Sequence, residues 1–383
     1  MSGRHTEGKT LVSKLTRCQE LISARTGFDD FYELLKILYV KFKMESKDEG
    51  SIISLSKAKG LIEKNKNEVI LFIEGDACIN VPDDIFEECI RLLSSISVKG
   101  SSYDELHVAF EVMTSKVMKS DKGQYFTPFN VVDMCISFFD IKSDQLICDP
   151  ACGSGGFLHA VFEKNKECKV YGFDISKRAV NAARFLSIVS SNNSIKIFHS
   201  DSLSREQSLS AGEDLYSIEQ VMKSHDPYFD GFDLIVTNPP FAGDVTLSNY
   251  RDDYVLANLP GRTIERDVLF LERCHSLLKE SGKIAIVLPD NKFSAKKFDG
   301  LREWMLSNFK INAVISLHPY TFRPFTSQKT CVLIAEKGET DDKVLFIASE
   351  KCGKNASGKF LFKDDGFVDD DFDSIKNCIF GGL

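Results

Sequence analysis

QLICDPACGSGGF, residues 145–157, is the stretch on which the fold turns. An apolar run, Leu146–Cys148, ends on Asp149-Pro150. A bend with glycines at 153, 155 and 156 follows, and Phe157 opens an apolar helical pattern. Strand, bend and helix make the first half of a strand–helix–strand unit. Glycines in such a bend let the backbone approach a ligand where a side chain would clash. The spacing differs from the GxGxxG of a dinucleotide loop, and a carboxylate at Asp149 would repel a pyrophosphate. A plain tight turn is the other reading.

The pattern continues downstream. Apolar runs rich in β-formers recur as KVYGFDI (169–175), SIKIFHSD (194–201), FDLIVTNPP (232–240), KIAIVLPD (283–290), INAVISLH (311–318) and TCVLIAEK (330–337). With residues 145–150 they predict an α/β fold with a seven-stranded sheet. Runs this continuously apolar belong to strands buried on both faces, hence to a mostly parallel sheet covered by helices. Several of the runs end on Asp, alone or with one residue after it, or on Asn-Pro-Pro. Ligands of open α/β sheets bind outside the carboxyl ends of the strands, so the polar residues gather where a site is expected.

Upstream the chain reads as helical. FDDFYELLKILYVKFKM (28–44) places Phe31, Leu34, Leu35, Leu38 and Phe42 at helical spacing, and DDIFEECIRLLSS (83–95) repeats the pattern behind Pro82. Tyr103–Met118 is a third candidate helix. The Lys/Ser/Gly-rich stretch 43–60 is expected as a loop and 204–229 as a polar surface insertion. The organisation expected is an N-terminal helical domain at 1–120, an α/β domain at 121–345 and an acidic tail at 346–383.

Composition excludes several classes. Of 383 residues, 43% are apolar and 27% charged, which suits a soluble globular chain. The 11 cysteines are scattered, odd in number and without a CxxC pair. That argues against a disulfide framework or a zinc site and fits a reducing cytoplasm. The N-terminus MSGRHTEGKTLVSKL lacks an apolar signal, and no 18-residue apolar run exists, so neither export nor membrane insertion is expected. A net charge of −8 argues against strong nonspecific nucleic-acid binding. A nucleic-acid substrate would need local basic clusters or a partner subunit for its grip.

The strand ends carry the chemistry. Asp149 suits a positively charged ligand, and the sulfonium and amino group of S-adenosylmethionine bear that charge. Asp174, in GFDIS, can accept hydrogen bonds from both hydroxyls of a ribose. Asp201, followed by Ser202, can accept from the amino group of an adenine ring; a helix N-cap is an equal reading. Asn238-Pro239-Pro240-Phe241 is the strongest signal. An exocyclic aryl amine is a poor nucleophile because its lone pair is delocalised into the ring. The Asn238 side-chain carbonyl and the Pro239 backbone carbonyl can take its two N–H bonds and favour a pyramidal nitrogen. The prolines stiffen the loop, and Phe241 offers a face for an extruded base. No metal is needed. In Gly123-Gln124-Tyr125-Phe126-Thr127-Pro128, Thr127 and Pro128 read as the cap and first residue of the helix VVDMCISFF.

Taken in order, GQYFTP, DPACGSGGF, GFDIS and NPPF resemble the N6-adenine DNA methyltransferases of the gamma arrangement, most of all the modification subunit of type I restriction-modification systems. LLKILYVKF and AFEVMTSKVMKSDKGQYFTP are similar to that family's helical domain and its junction. The resemblance, from about residue 28 to about 337, implies a Rossmann-like methyltransferase domain, S-adenosylmethionine as donor and an adenine of double-stranded DNA as acceptor. It carries cofactor contacts onto Gln124, Phe126, Thr127, Pro128, Asp149, Gly153, Gly155, Phe157, Asp174 and Asp201. Pro150, Ile175 and Ser202 complete the expected cofactor set. It carries the catalytic motif onto Asn238, Pro239, Pro240 and Phe241. It also implies a separate specificity subunit that reads sequence; a homodimer is a further expectation. The tail after the last run is short, so no target-recognition domain is expected there. Two rivals differ in class: methylation of an RNA base or a protein glutamine amide, and a noncatalytic assembly subunit that keeps the fold.

Overall fold

The computed structural model describes residues 3–47, 53–99, 106–107, 110, 127–190, 194–205, 208–210, 213–241, 243–245, 250, 252–259, 264–339, 343–364 and 366–381. Gln124 and Phe126 lie outside the described residues, as does most of the helix expected at 103–118. The chain divides into two compact units, one of residues 1–120 and 176–193, the other of residues 121–175 and 194–383.

The first unit is helical. Its longer helices among the described residues are α1 (Gly3–Arg25), α2 (Asp30–Glu45), α3 (Leu55–Lys64), α4 (Asp83–Leu93) and, from further along the chain, α7 (Lys177–Val189). Asp29 starts α2: its Oδ1 accepts from the N–H groups of Phe31 at 3.0 Å and Tyr32 at 3.3 Å, satisfying donors that have no partner within the helix. Phe31, Leu34, Leu35, Leu38 and Phe42 are all buried, as their spacing requires. The stretch 43–60 is not all loop. Helix α2 runs on to Glu45, and Ser54 caps α3, whose Leu55, Ala58 and Ile62 enter the core. Phe185 of α7 packs its ring 5.3 Å from those of Phe72 and Phe110.

The second unit is built on an eight-stranded sheet: β1 (Leu146–Asp149), β2 (Lys169–Asp174), β3 (Lys196–His199), β4 (Phe232–Thr237), β5 (Leu278–Pro289), β6 (Phe309–Ser316), β7 (Thr330–Lys337) and β8 (Leu345–Ala348). The spatial order is β8-β6-β7-β5-β4-β1-β2-β3. Every pairing is parallel except those of β7, which runs antiparallel to β5 and β6. Seven strands are the seven apolar runs. The eighth was not legible because β8 is a short edge strand with Phe346 72% exposed, so it lacks the buried pattern.

Helices α5 (Phe129–Ser137), α6 (Gly156–Lys164), α8 (Ile218–His225), α9 (Arg266–Leu277), α10 (Asp299–Asn308) and α11 (Phe372–Gly381) belong to the same unit. The segment 204–229 is a structured insertion. A hairpin pairs Ser208–Ser210 with Glu213–Leu215, and α8 follows behind a reciprocal Ser217–Gln220 capping box. Ile218 and Met222 bury its inner face. Residues 346–383 do not form a free tail either, since they supply β8 and α11. No helix among the described residues is long and apolar enough to cross a membrane.

Gly172 fixes how closely α6 rides on the sheet. A Cβ there would stand 2.3 Å from Leu158 Cδ1 and 3.1 Å from Cys152 Sγ. The glycine bend and its helix therefore seat directly on the β2 backbone. Replacing Gly172 by Ala is expected to destabilise the protein by about 1–3 kcal/mol, the range for overpacking a tight core. Denaturant unfolding checks this; an unchanged midpoint would show that α6 can shift freely.

Candidate active site

The chain leaves β1 for β2 on one side, while β4 pairs with β1 on the other. The crevice outside the carboxyl ends of β1 and β4 is thus a topological switch point, the place where open α/β sheets bind ligands. Ile147 lies opposite Leu234 and Cys148 opposite Ile235, in parallel register. Strands so paired run about 4.8 Å apart. Asp149 and the glycine bend follow directly on one strand; Asn238-Pro239-Pro240-Phe241 follows directly on the other. The two principal motifs therefore start side by side at one end of the sheet.

The bend is pinned to its neighbours. Gly155 holds φ +93° and Gly153 φ +52°, backbone that favours glycine; Gly155 is the N-cap of α6. The Cys152 N–H donates to Phe173 O at 2.9 Å, tying the bend to the end of β2. The Gly153 N–H donates at 2.9 Å to Oδ2 of Asp174. Phe157 is buried in the first turn of α6. On the other side of β2, Ser200 N–H donates to Asp174 O at 3.0 Å, and His199 Nε2 lies 3.0 Å from the carbonyl of Ile175, whose own side chain is exposed. After β3, Ser202 Oγ donates to Pro150 O at 2.6 Å. Asp201 Oδ1 accepts from Leu203 N–H at 3.2 Å within a turn, and no helix begins there. Asp149, Pro150, Gly153, Gly155, Asp174, Ile175, Asp201 and Ser202 thus form one connected rim across the ends of β1, β2 and β3.

Asp149 is buried, and its carboxyl pKa is raised from 3.8 to about 7. Burial is the main cause, because desolvation penalises the charged form; the negative charge of Asp174 adds to it. The Thr237 hydroxyl and the Ala151 N–H, which donates to Oδ1 at 3.0 Å, pull the other way. A desolvated acid of this kind gains from a cation nearby.

The loop after β4 is clamped at both ends. Thr237 and Pro239 are buried; Asn238 and Pro240 are half-buried. The Phe241 ring is buried and meets Phe322 edge-on, with centroids 5.6 Å apart. Beyond it, Asp244–Val245 pairs antiparallel with Ile264–Glu265. Glu265 in turn holds Lys292 at 2.5 Å and Lys297 at 2.8 Å, and Lys292 also meets the buried Asp267 at 3.0 Å. Phe322 comes from the β6–β7 connection, so this loop has an aromatic neighbour that its own sequence did not disclose.

The floor beneath the rim centres on Arg273 of α9, which is fully buried. Its Nε donates to Ser202 O at 2.7 Å, and its guanidinium grips both oxygens of Glu219 at 2.6 and 2.5 Å. Tyr254 Oη donates to Leu203 O at 2.5 Å. The stretch expected as a surface insertion and helix α9 therefore meet in a bidentate ion pair that holds the 201–203 loop. A lone arginine in RDVLFLERCHSL gives no sequence signal of this.

Thr127 and Pro128 differ from expectation. Helix α5 starts at Phe129; Pro128 is its N-cap, with ψ 139°, and no side chain caps it. The extended Pro128 delays the helix by one residue and leaves Thr127 outside its first turn. Helix α5 packs against α6, whose Lys164 donates to Ile136 O at 2.8 Å and Phe139 O at 2.6 Å. That packing, not a strand end, ties the helix that follows the Thr127–Pro128 junction to the helix that follows the glycine bend.

Comparison with known proteins gives the family and the fold. The family described as N-6 DNA Methylase matches residues 101–378. The EcoEI methylase subunit of a type I restriction enzyme from Escherichia coli is 25% identical over 281 residues, covering 68% of this chain and 52% of its own length. The type II methyltransferase M.VspI from Vibrio sp. (strain 343) is 26% identical over 266 residues, covering 66% of this chain and 57% of its own. The chain thus spans little more than half the length of these curated relatives. Among solved structures, the methyltransferase subunit of the type I restriction-modification system from Streptococcus thermophilus superposes with a TM-score of 0.67 at 17% identity, over 98% of this chain and 94% of that one. The shared architecture is the Rossmann-like methyltransferase fold.

A raised carboxyl pKa means that Asp149 binds a proton more tightly folded than unfolded. Stability from this group is therefore highest near pH 4 and falls as pH rises toward 7. Asp149→Asn is expected to be more stable than the parent at pH 8, with the gap shrinking toward zero near pH 4. Urea titrations at both pH values check this, and a pH-independent gap would contradict it.

Proposed function

Because this chain belongs to the N-6 DNA Methylase family, we propose that it methylates the exocyclic N6 amine of an adenine in double-stranded DNA. It acts in this reading as the modification subunit of a restriction-modification system. One observation carries the reading: the glycine bend after β1 and the Asn-Pro-Pro-Phe loop after β4 stand on adjacent parallel strands at the switch point.

The residues on the rim fit S-adenosylmethionine. Asp149 supplies a desolvated acid for a cationic ligand, Asp174 a carboxylate to which ribose hydroxyls can donate, and the glycine bend a backbone open to close approach. Asp201, Ser202, Ile175, Pro150, Phe157 and the Thr127–Pro128 junction complete the wall, with Gln124 and Phe126 assigned by the resemblance alone. When bound, the cofactor supplies an activated methyl group with its own leaving group, so the protein need only position and polarise the acceptor. Asn238 Oδ1 and Pro239 O accept the two N–H bonds of the adenine amine and turn its lone pair toward the bend. Pro239 and Pro240 hold those oxygens in place without reorganisation, which is where electrostatic catalysis gains most. Phe241, braced by Phe322, packs against the extruded base.

DNA grip must come partly from elsewhere. At a net charge of −8, this chain gains little from counterion release. A specificity subunit that reads sequence and supplies phosphate contacts fits that deficit.

Tritiated cofactor offered with DNA, RNA and protein, with and without the products of neighbouring genes, tests the function. Label entering adenine of DNA is expected; label entering only RNA or protein would overturn the proposal. Asn238→Ala is expected to lower methyl transfer at least about a hundredfold with cofactor affinity nearly unchanged, and equal loss of both would remove Asn238 from its role. Asp174→Ala is expected to weaken cofactor binding while the fold persists. Calorimetry should also show cofactor affinity falling below pH 7, by up to about tenfold per pH unit, as Asp149 takes up the proton that a cationic ligand must expel. A flat profile in the parent would contradict this assignment.

A further inference from the structure

The segment after β8 is built as a strap. Asp371 accepts from Ser349 Oγ at 2.8 Å and from the N–H groups of Glu350 at 2.6 Å and Lys351 at 3.2 Å, folding the chain back on itself. Bridges between Cys352 and Asp370, Lys354 and Phe360, and Phe362 and Val368 close the return. The strap touches two separate walls of the site. Toward the cofactor wall, the Phe360 ring packs 5.0 Å from Phe129, the first residue of α5. Asn130 Nδ2 donates to Cys352 O at 3.2 Å and to Asp370 Oδ2 at 2.9 Å. Toward the acceptor wall, Lys354 Nζ donates to Thr321 O at 2.9 Å and Arg323 O at 3.2 Å, the two carbonyls that bracket Phe322. The same ammonium sits 4.8 Å over the Phe360 ring. Gly358, at φ +79°, lies so close to the Arg323–Pro324 peptide that a Cβ would stand 2.5 Å from Pro324 N.

We infer that Lys354 is a positioning residue: by clamping the carbonyls on either side of Phe322 it fixes the ring that braces Phe241, and so sets the acceptor wall of the site. The physical case is one of geometry. Two carbonyls one residue either side of Phe322 converge on a single ammonium, and a charged donor makes such bonds stronger than neutral ones. The cation–π contact with Phe360 ties the clamp to the ring that packs on α5. Gly358 lets the strap backbone lie flat on the same loop, a second and uncharged contact. The consequence for methyl transfer rests on the function proposed above; the clamp itself does not.

Two variants separate charge from fit. Lys354→Met keeps the stem and removes the ammonium; Gly358→Ala keeps the ammonium and lifts the strap. Amide hydrogen exchange in both should rise at least tenfold over residues 318–326 and stay unchanged over 149–174. In methylation assays with partner present, the KM for DNA should rise at least tenfold while the cofactor Kd stays within twofold, and Lys354→Arg should restore most of the DNA affinity. Unchanged exchange over 318–326 would overturn the clamp, as would loss of cofactor and DNA affinity in equal measure. If the unaltered protein methylates no DNA, the function proposed above fails while the exchange data alone decide the clamp.

Discussion

Parallel hydrogen bonding between β1 and β4 is the constraint on which the rest depends. It aligns two strands that are 83 or more residues apart in sequence, so that a glycine bend and a proline-stiffened loop emerge at one edge. Neither motif has chemical meaning alone. The bend can cradle a ligand and the loop can polarise an amine, but only their adjacency lets a group pass from one to the other. The helices above the sheet serve that adjacency: α6 is set down by Gly172, and α5 is held to α6 through Lys164.

Around this seam the molecule accepts unfavourable burial. Asp149 is an acid desolvated at a strand end, and Arg273, Lys292 and Asp267 are charges fully taken from water. Buried ion pairs are weak evidence for stability, since desolvation offsets most of the Coulomb gain. Here each one restrains a loop at the site: Arg273 restrains 201–203, and Lys292 through Glu265 restrains the return of the Asn238 loop. The lasting effect of these groups is a fixed geometry, in keeping with a chemistry that works by positioning.

Much of this was legible in the sequence, for definite reasons. Strands buried on both faces leave long apolar runs, so seven of the eight were visible; β8, exposed at the sheet edge, left none. The strand-end residues Asp149, Asp174 and Asn238 were visible because abrupt polarity after an apolar run marks a carboxyl end. Phe322, Arg273 and Lys354 were not, because what they do depends on contacts 31 or more residues away along the chain. The cap of α5 was misplaced by one residue, since Thr-Pro fits both a capped helix and an extended Pro128 that delays it. The insertion at 204–229 hid α8, although Ser217 and Gln220 carry the spacing of a capping box.

The most direct measurement is a crystal structure of this chain soaked with S-adenosylmethionine or its demethylated product. Sulfur lying over the glycine bend, facing Asn238 across open space with no protein atom between, is the predicted result. Sulfur placed behind the sheet, or walled off from Asn238 by side chains, would contradict the account.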